Sequence, residues 1–298
     1  MSGFWSDNIN KILSCVLFLA LLLYGSAAGA ENCIETTHLT VCDLTRGQLS
    51  SQRFNELANQ AQQALDQVLK FWSADARVGK LGKIWLEFEP PRKGTYGTQF
   101  QMGMRNGARV RVVRVSGVKK GPQNMLHKLT IAIFPSPDKL IRCMLGPTME
   151  ELFGNRQSFP MCGYSQDSWV LAIRRTGAYI PLPKIGPDHE SWGMTATPDG
   201  WARVTDDWKQ HIAYAEAESF CKYLLHVHGT EKIKAFYRLS NQGKERHWEV
   251  FGSTLDELEK NWIEYLGSIQ TAHEKEIEAA VKLLAKGSGR TCPARLGD

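Results

Sequence analysis

The sequence has no C-x-x-C pair, no G-x-G-x-x-G loop, no Walker-type phosphate loop and no G-x-S-x-G elbow. The first absence counts against a zinc-cysteine site. The next two count against a nucleotide cradled on glycine-rich backbone, and the last against a serine hydrolase of the α/β type. The chain carries no internal repeat and no low-complexity tract. Beyond residue 30 no run is apolar enough to enter a membrane. The net charge is only +5, without the dense basic stripe and stacking aromatics that nucleic-acid binding asks for. Arg109-Val110-Arg111-Val112-Val113-Arg114 comes nearest, and its alternation is that of a strand with an exposed basic face.

What is present begins with an apolar run from Ile12 to Tyr24 after Lys11, followed by Ala28-Gly29-Ala30. A short apolar core before a small-residue A-x-A site is the order of a signal peptide. Residues 1–30 are therefore expected to be removed and the rest secreted or periplasmic. An uncleaved anchor is the alternative, because Asp7 balances Lys11 and weakens the positive flank. The mature chain keeps Cys33, Cys42, Cys143, Cys162, Cys221 and Cys292. An even set in an exported chain favours disulfides. Of the connectivities open to six cysteines, the pairs expected are Cys33 with Cys42, Cys143 with Cys162, and Cys221 with Cys292. The first two close short loops and the third ties down the tail.

Periodicity predicts an α+β fold. Phe54, Leu57, Ala58, Ala61, Leu65, Val68, Leu69 and Trp72 recur at helical spacing after a Ser50 or Ser51 cap. Strands are expected at 83–88 and 109–115, and helices at 123–134, 139–153 and 166–175. The Gly- and Pro-rich middle, 154–208, reads as structured loops. There Trp192, Trp201 and Trp208 are either a binding platform or anchors over a core. Four helices follow, at about 209–228, 230–241, 254–267 and 271–286, with seams at Gly229, Gly243, Gly252 and Gly267. The organisation expected is a leader at 1–30, an α+β region at 31–208 with a small mixed sheet, and an all-helical lobe at 209–298.

The chemistry-bearing segment is His127-Lys128-Leu129-Thr130-Ile131 on the helix near 125, with Met149-Glu150-Glu151-Leu152 on the next. This pair resembles the zinc helices of gluzincin metallopeptidases, in which H-E-x-x-H sets two imidazoles one turn apart around a glutamate base. Downstream, Tyr214-Ala215-Glu216-Ala217-Glu218-Ser219-Phe220 is similar to the helical tail of the peptidase MA group. So is Phe251-Gly252-Ser253-Thr254-Leu255-Asp256-Glu257-Leu258-Glu259 with Trp262. The resemblance implies a zincin-like helix pair beside the sheet, with His127 and Glu150 or Glu151 as vestigial or weak metal ligands.

The departures are as informative. Lys128 stands where the general base would be, and its ammonium can only donate; Ile131 stands where the second imidazole would be and has no lone pair. No catalytic residue and no cofactor are expected, with weakly held zinc as the alternative. Asp188-His189-Glu190 could add His189 to a rebuilt metal site, whereas His38, His211, His247 and His273 are isolated. The function expected is an exported, catalytically impaired peptidase-like protein that binds a peptide, a protein or an anionic envelope component. An active hydrolase with a rearranged metal site and a structural envelope protein are the alternatives; the oligomeric state stays open.

Overall fold

A computed structural model describes residues 32–91, 97–116, 125–153, 162–198, 200–240 and 247–285; the side chains of Asp75, Ala76, Val78, Pro147 and Glu151 fall outside this description. Residues 1–30, where a leader is expected, and Cys292 lie outside the described residues. The fold is mixed α+β, with a five-stranded sheet and a helical C-terminal region.

The sheet runs β1 (Asn32–Glu35), β2 (Leu39–Asp43), β3 (Ile84–Glu89), β5 (Ala108–Ser116) and β4 (Thr98–Arg105) in spatial order. β2, β3 and β5 are parallel, and β4 joins antiparallel at the edge. A parallel pair needs a crossover, and between β2 and β3 it is supplied by α1 (Ser51–Trp72) and α2 (Asp75–Leu81). Ser50 starts α1 by accepting the Arg53 N–H at 3.2 Å. All eight apolar positions of the α1 stripe are buried, as their spacing predicted.

β4 is a strand that the glycine-rich stretch concealed. Asn106 and Gly107 take φ of 50° and 75°, the two left-handed positions of a type I′ turn, and they close the hairpin at the Arg105–Ala108 pair. The basic strand it pairs with is also not an open face. Arg111 is buried and donates to the carbonyls of Leu81, Gly82 and Ala132 at 2.5, 2.8 and 3.3 Å. Arg114 is paired with Glu89 and lies over the Trp201 ring. Charge that alternation assigns to solvent thus ties the sheet to its neighbours.

Against β4 and β5 lies α3 (Met125–Ile133), and α4 (Lys139–Leu152) packs on α3. α5 (Gln166–Arg175) follows, then the short hairpin β6 (Met194–Ala196) and β7 (Ala202–Val204) in the middle segment. Trp192 and Trp201 are fully buried there, so both anchor loops over the core. The helical region contains α6 (Asp207–Ser240), bent at Gly229 where φ is 76°, then α7 (Leu255–Ile269) and α8 (Glu274–Ala285). Thr254 and Glu257 cap α7 reciprocally. No helix among the described residues is long and apolar enough to cross a membrane.

The cysteines correct two of three expected pairs. Cys33 and Cys42 stand at disulfide distance and both are oxidised. Cys162 is oxidised too, but not to Cys143: Cys143 and Cys221 are free and buried. Both sit on core-facing sides of helices, α4 and α6, so loop length was no guide to their partners.

Phe220, Phe236, Leu258 and Trp262 are buried together in the helical region, as expected from their spacing. Trp262 is fully buried and donates its indole N–H to Ser219 Oγ at 3.1 Å. Trp262→Ala is expected to lower unfolding free energy by about 3–5 kcal/mol in urea titration. A loss under about 1 kcal/mol would mean that the indole fills no essential volume.

Candidate functional site

Every one of the nine residues of α3 is buried, so its polar side chains must find partners inside the protein. Thr130 Oγ1 donates to the Leu126 carbonyl at 2.7 Å. Glu150 on α4 accepts the backbone N–H of His127 at 2.9 Å. It thereby caps the first turn of α3, where a carboxylate also complements the helix dipole.

His127 sits where α3 and α4 come closest. A Cβ built on Gly146 would stand 2.2 Å from the imidazole Cδ2, so only glycine leaves room for the ring. The ring's edge meets Tyr214, with centroids 6.2 Å apart. Burial, then the charges of Lys128 and Lys139, hold His127 well below the usual imidazole range, and it is neutral at pH 7. Lys128 Nζ lies 3.4 Å from Nε2 of that ring. Burial also pulls Lys128 down to about 8, against the opposing pull of Cys143 and Glu150.

Among the described residues the expected ligands are not seen gathered around one point. A dication on Nε2 would lie within about 4 Å of the Lys128 ammonium and be repelled by about 8 kcal/mol at an effective dielectric near 20. Ile131 contributes no donor, and Glu150 is engaged as a helix cap. Glu151 lies on α4, but its side chain is outside the described residues. Among the described residues no three His, Cys, Asp or Glu side chains stand together as a metal-binding group. The residues present do not fit a catalytic zinc, which takes three protein ligands.

A cavity of about 110 Å³ opens instead beside Lys128 and Ile131. His189 does come to it, from the middle segment, but in the company of Lys139, Arg142, Cys143 and Tyr214. The edge strand forms another wall through Thr98, Gln99 and Phe100. In the orientation that satisfies both of its ends, the Gln99 amide bridges Gly200 and Ala202 and holds the β6–β7 hairpin against β4. His189 is lowered to about 4, first by burial and then by the charges of Lys139, Arg142 and Lys128. It is a neutral imidazole on the cavity wall.

Cys143 is the group that sequence reasoning misassigned. Its Sγ lies 3.7 Å from the Lys139 ammonium and 3.7 Å from the Tyr214 hydroxyl. Burial alone would raise its thiol. Lys139, Lys128, Arg142 and the Tyr214 hydroxyl together outweigh burial and hold it below the ordinary value. The signal was legible in Lys139-Leu140-Ile141-Arg142-Cys143, where spacing of three and four puts the two cations and the thiol on one side of a helix. Lys139 itself is buried, with its ammonium 4.8 Å from the Trp192 ring centroid and 5.5 Å from that of Tyr214.

No family model matches this chain, and no curated protein matches it.

The contact between Gly146 and His127 yields a test of the helix pair. Gly146→Ala is expected to cost about 2–4 kcal/mol, against the usual gain from replacing a helical glycine. The same change in a His127→Ala background should cost under about 1 kcal/mol, because the ring that obstructs the methyl group is gone. A double-mutant cycle in urea checks this. Equal costs in both backgrounds would place the constraint elsewhere.

Proposed function

We propose that this protein is a metal-independent binding protein built on a peptidase-like helix pair, and that it holds a peptide or an extended protein segment along β4. The carrying observation is the 3.4 Å approach of Lys128 Nζ to His127 Nε2. An ammonium there occupies the lone pair that a peptidase would give to zinc, and Lys128 itself offers no base to activate water.

Two features favour an extended ligand. β4 is the last strand on its side of the sheet, and it forms one wall of the cavity. In a hairpin closed by a two-residue turn at Arg105–Ala108, alternate residues from Arg105 bond to β5. Phe100, Met102 and Met104 therefore direct their backbone N–H and C=O groups outward. Such an edge accepts an added strand, with side-chain pockets setting preference. Met102 and Met104 are 43 % and 60 % exposed, and methionine adapts to varied partners. The disulfide-bonded cysteines accord with secretion or a periplasmic location.

Calorimetry tests the metal half of this reading. Wild-type protein should bind no stoichiometric zinc, while Lys128→Glu with Ile131→His should bind it, because the repelling charge is removed and a second imidazole stands one turn from His127. Tight wild-type binding abolished by His127→Ala would instead establish a hydrolase with a rearranged site. No binding by a folded double mutant would remove the peptidase resemblance.

The ligand half is tested with a displayed library of random peptides. Selection should return extended sequences whose binding is lost in Met102→Pro, which deletes one outward N–H, with thermal unfolding within a few degrees of wild type. Selected peptides that bind Met102→Pro undiminished would reject strand addition at β4.

A further inference from the structure

We propose that the cavity beside α3 and α4 is a carboxylate seat: Lys139 and Arg142, with Lys128 beside them, line a space of about 110 Å³ on whose wall no Asp or Glu stands among the described residues. The inference deepens the binding reading above and rests on it only for what carries the carboxylate.

Charge and size select the ligand. Glu150, whose charge reaches Lys128, caps the start of α3 and is not on the cavity wall. Asp188, which acts on His189, holds Ser191 through its N–H and hydroxyl at 2.8 and 3.0 Å. The buried Lys139 ammonium meets aromatic faces and the Cys143 sulfur, which are weaker counterparts than a carboxylate. A buried cation of this kind gains from an anion that displaces water. The space has room for a carboxylate with a short alkyl stem. Phe100 and Ile131 on the wall offer apolar surface to the stem, and the Arg142 guanidinium suits the planar head.

Cys143 lines the same space and so reports what enters it. The full mature protein is alkylated in parallel with iodoacetate and with iodoacetamide; in each case thiolate sulfur attacks the methylene carbon and iodide leaves. Adducts are located by peptide mass mapping. Cys221, buried with its thiol pushed up to about 12, serves as the unreactive internal control. Glutathione gives the ratio of the two rates for a free thiol.

The iodoacetate-to-iodoacetamide ratio at Cys143 should exceed that of glutathione by about tenfold, the factor expected from attraction between unit charges several ångströms apart in a partly screened site. Arg142→Gln and Lys139→Gln should each return it toward the free value. The ratio cancels any change in the thiol's own reactivity, and the half-buried Arg142 provides the variant that folds if Lys139→Gln does not. Butyrate should protect Cys143, and butylamine should not.

A ratio no greater than that of glutathione, or no Cys143 adduct with either reagent, overturns the seat. Protection by inorganic phosphate equal to that by butyrate overturns the carboxylate assignment. A raised ratio in a protein that binds glutamate-bearing peptides no better than their glutamine counterparts keeps the seat and rejects the peptide as its occupant.

Discussion

Helix α3 has no solvent face, and most of what is distinctive in this protein follows from that burial. A helix carrying His, Lys and Thr can be enclosed on all sides only if each polar group is answered from within. Thr130 turns back to its own helix, the first-turn N–H of His127 goes to Glu150, and the Lys128 ammonium rests on the imidazole. These contacts fix the distance between α3 and α4, and that distance requires Gly146 opposite the ring.

Lys128, Lys139 and Arg142 set the sign of the site. Where the resemblance implies a dication held by neutral and anionic ligands, this chain has fixed cations around an open space. A space bordered by cations is the electrostatic opposite of a metal site, which is why an anion is the ligand proposed for it. Neighbouring groups have responded in kind. His127 and His189 are held neutral, and Cys143 is drawn toward its anionic form.

The sequence disclosed elements well and partners poorly. Helices α1, α4 and α5 were legible because their apolar positions repeat at helical spacing and their caps are local. β4 was not, because Gly103 and Gly107 suggested loop where the Asn106-Gly107 pair marks a hairpin. Arg111 read as exposed because alternation describes which side of a strand a residue occupies, not what covers that side. The site was half legible. His127 and Lys128 announced an altered motif, but the convergence of Lys139, Arg142, Cys143, His189 and Tyr214 depends on three separated segments meeting. Cysteine pairing failed for the same reason: parity suggests oxidation but cannot say which thiols the core encloses.

Cys143 and Cys221 remain reduced in a chain whose Cys33, Cys42 and Cys162 are oxidised, and packing separates the two groups. Thiol–disulfide exchange proceeds wherever a thiolate can reach a disulfide sulfur. In the unfolded chain nothing distinguishes the two groups of cysteines. Discrimination arises only when α4 and α6 pack and enclose their sulfurs in the core. Helix docking withdraws those two thiols from exchange, whether it precedes oxidation or follows the reshuffling of other pairings. The native disulfide pattern is in this sense decided by packing: the two helices that bury their sulfurs also keep them out of the oxidised set.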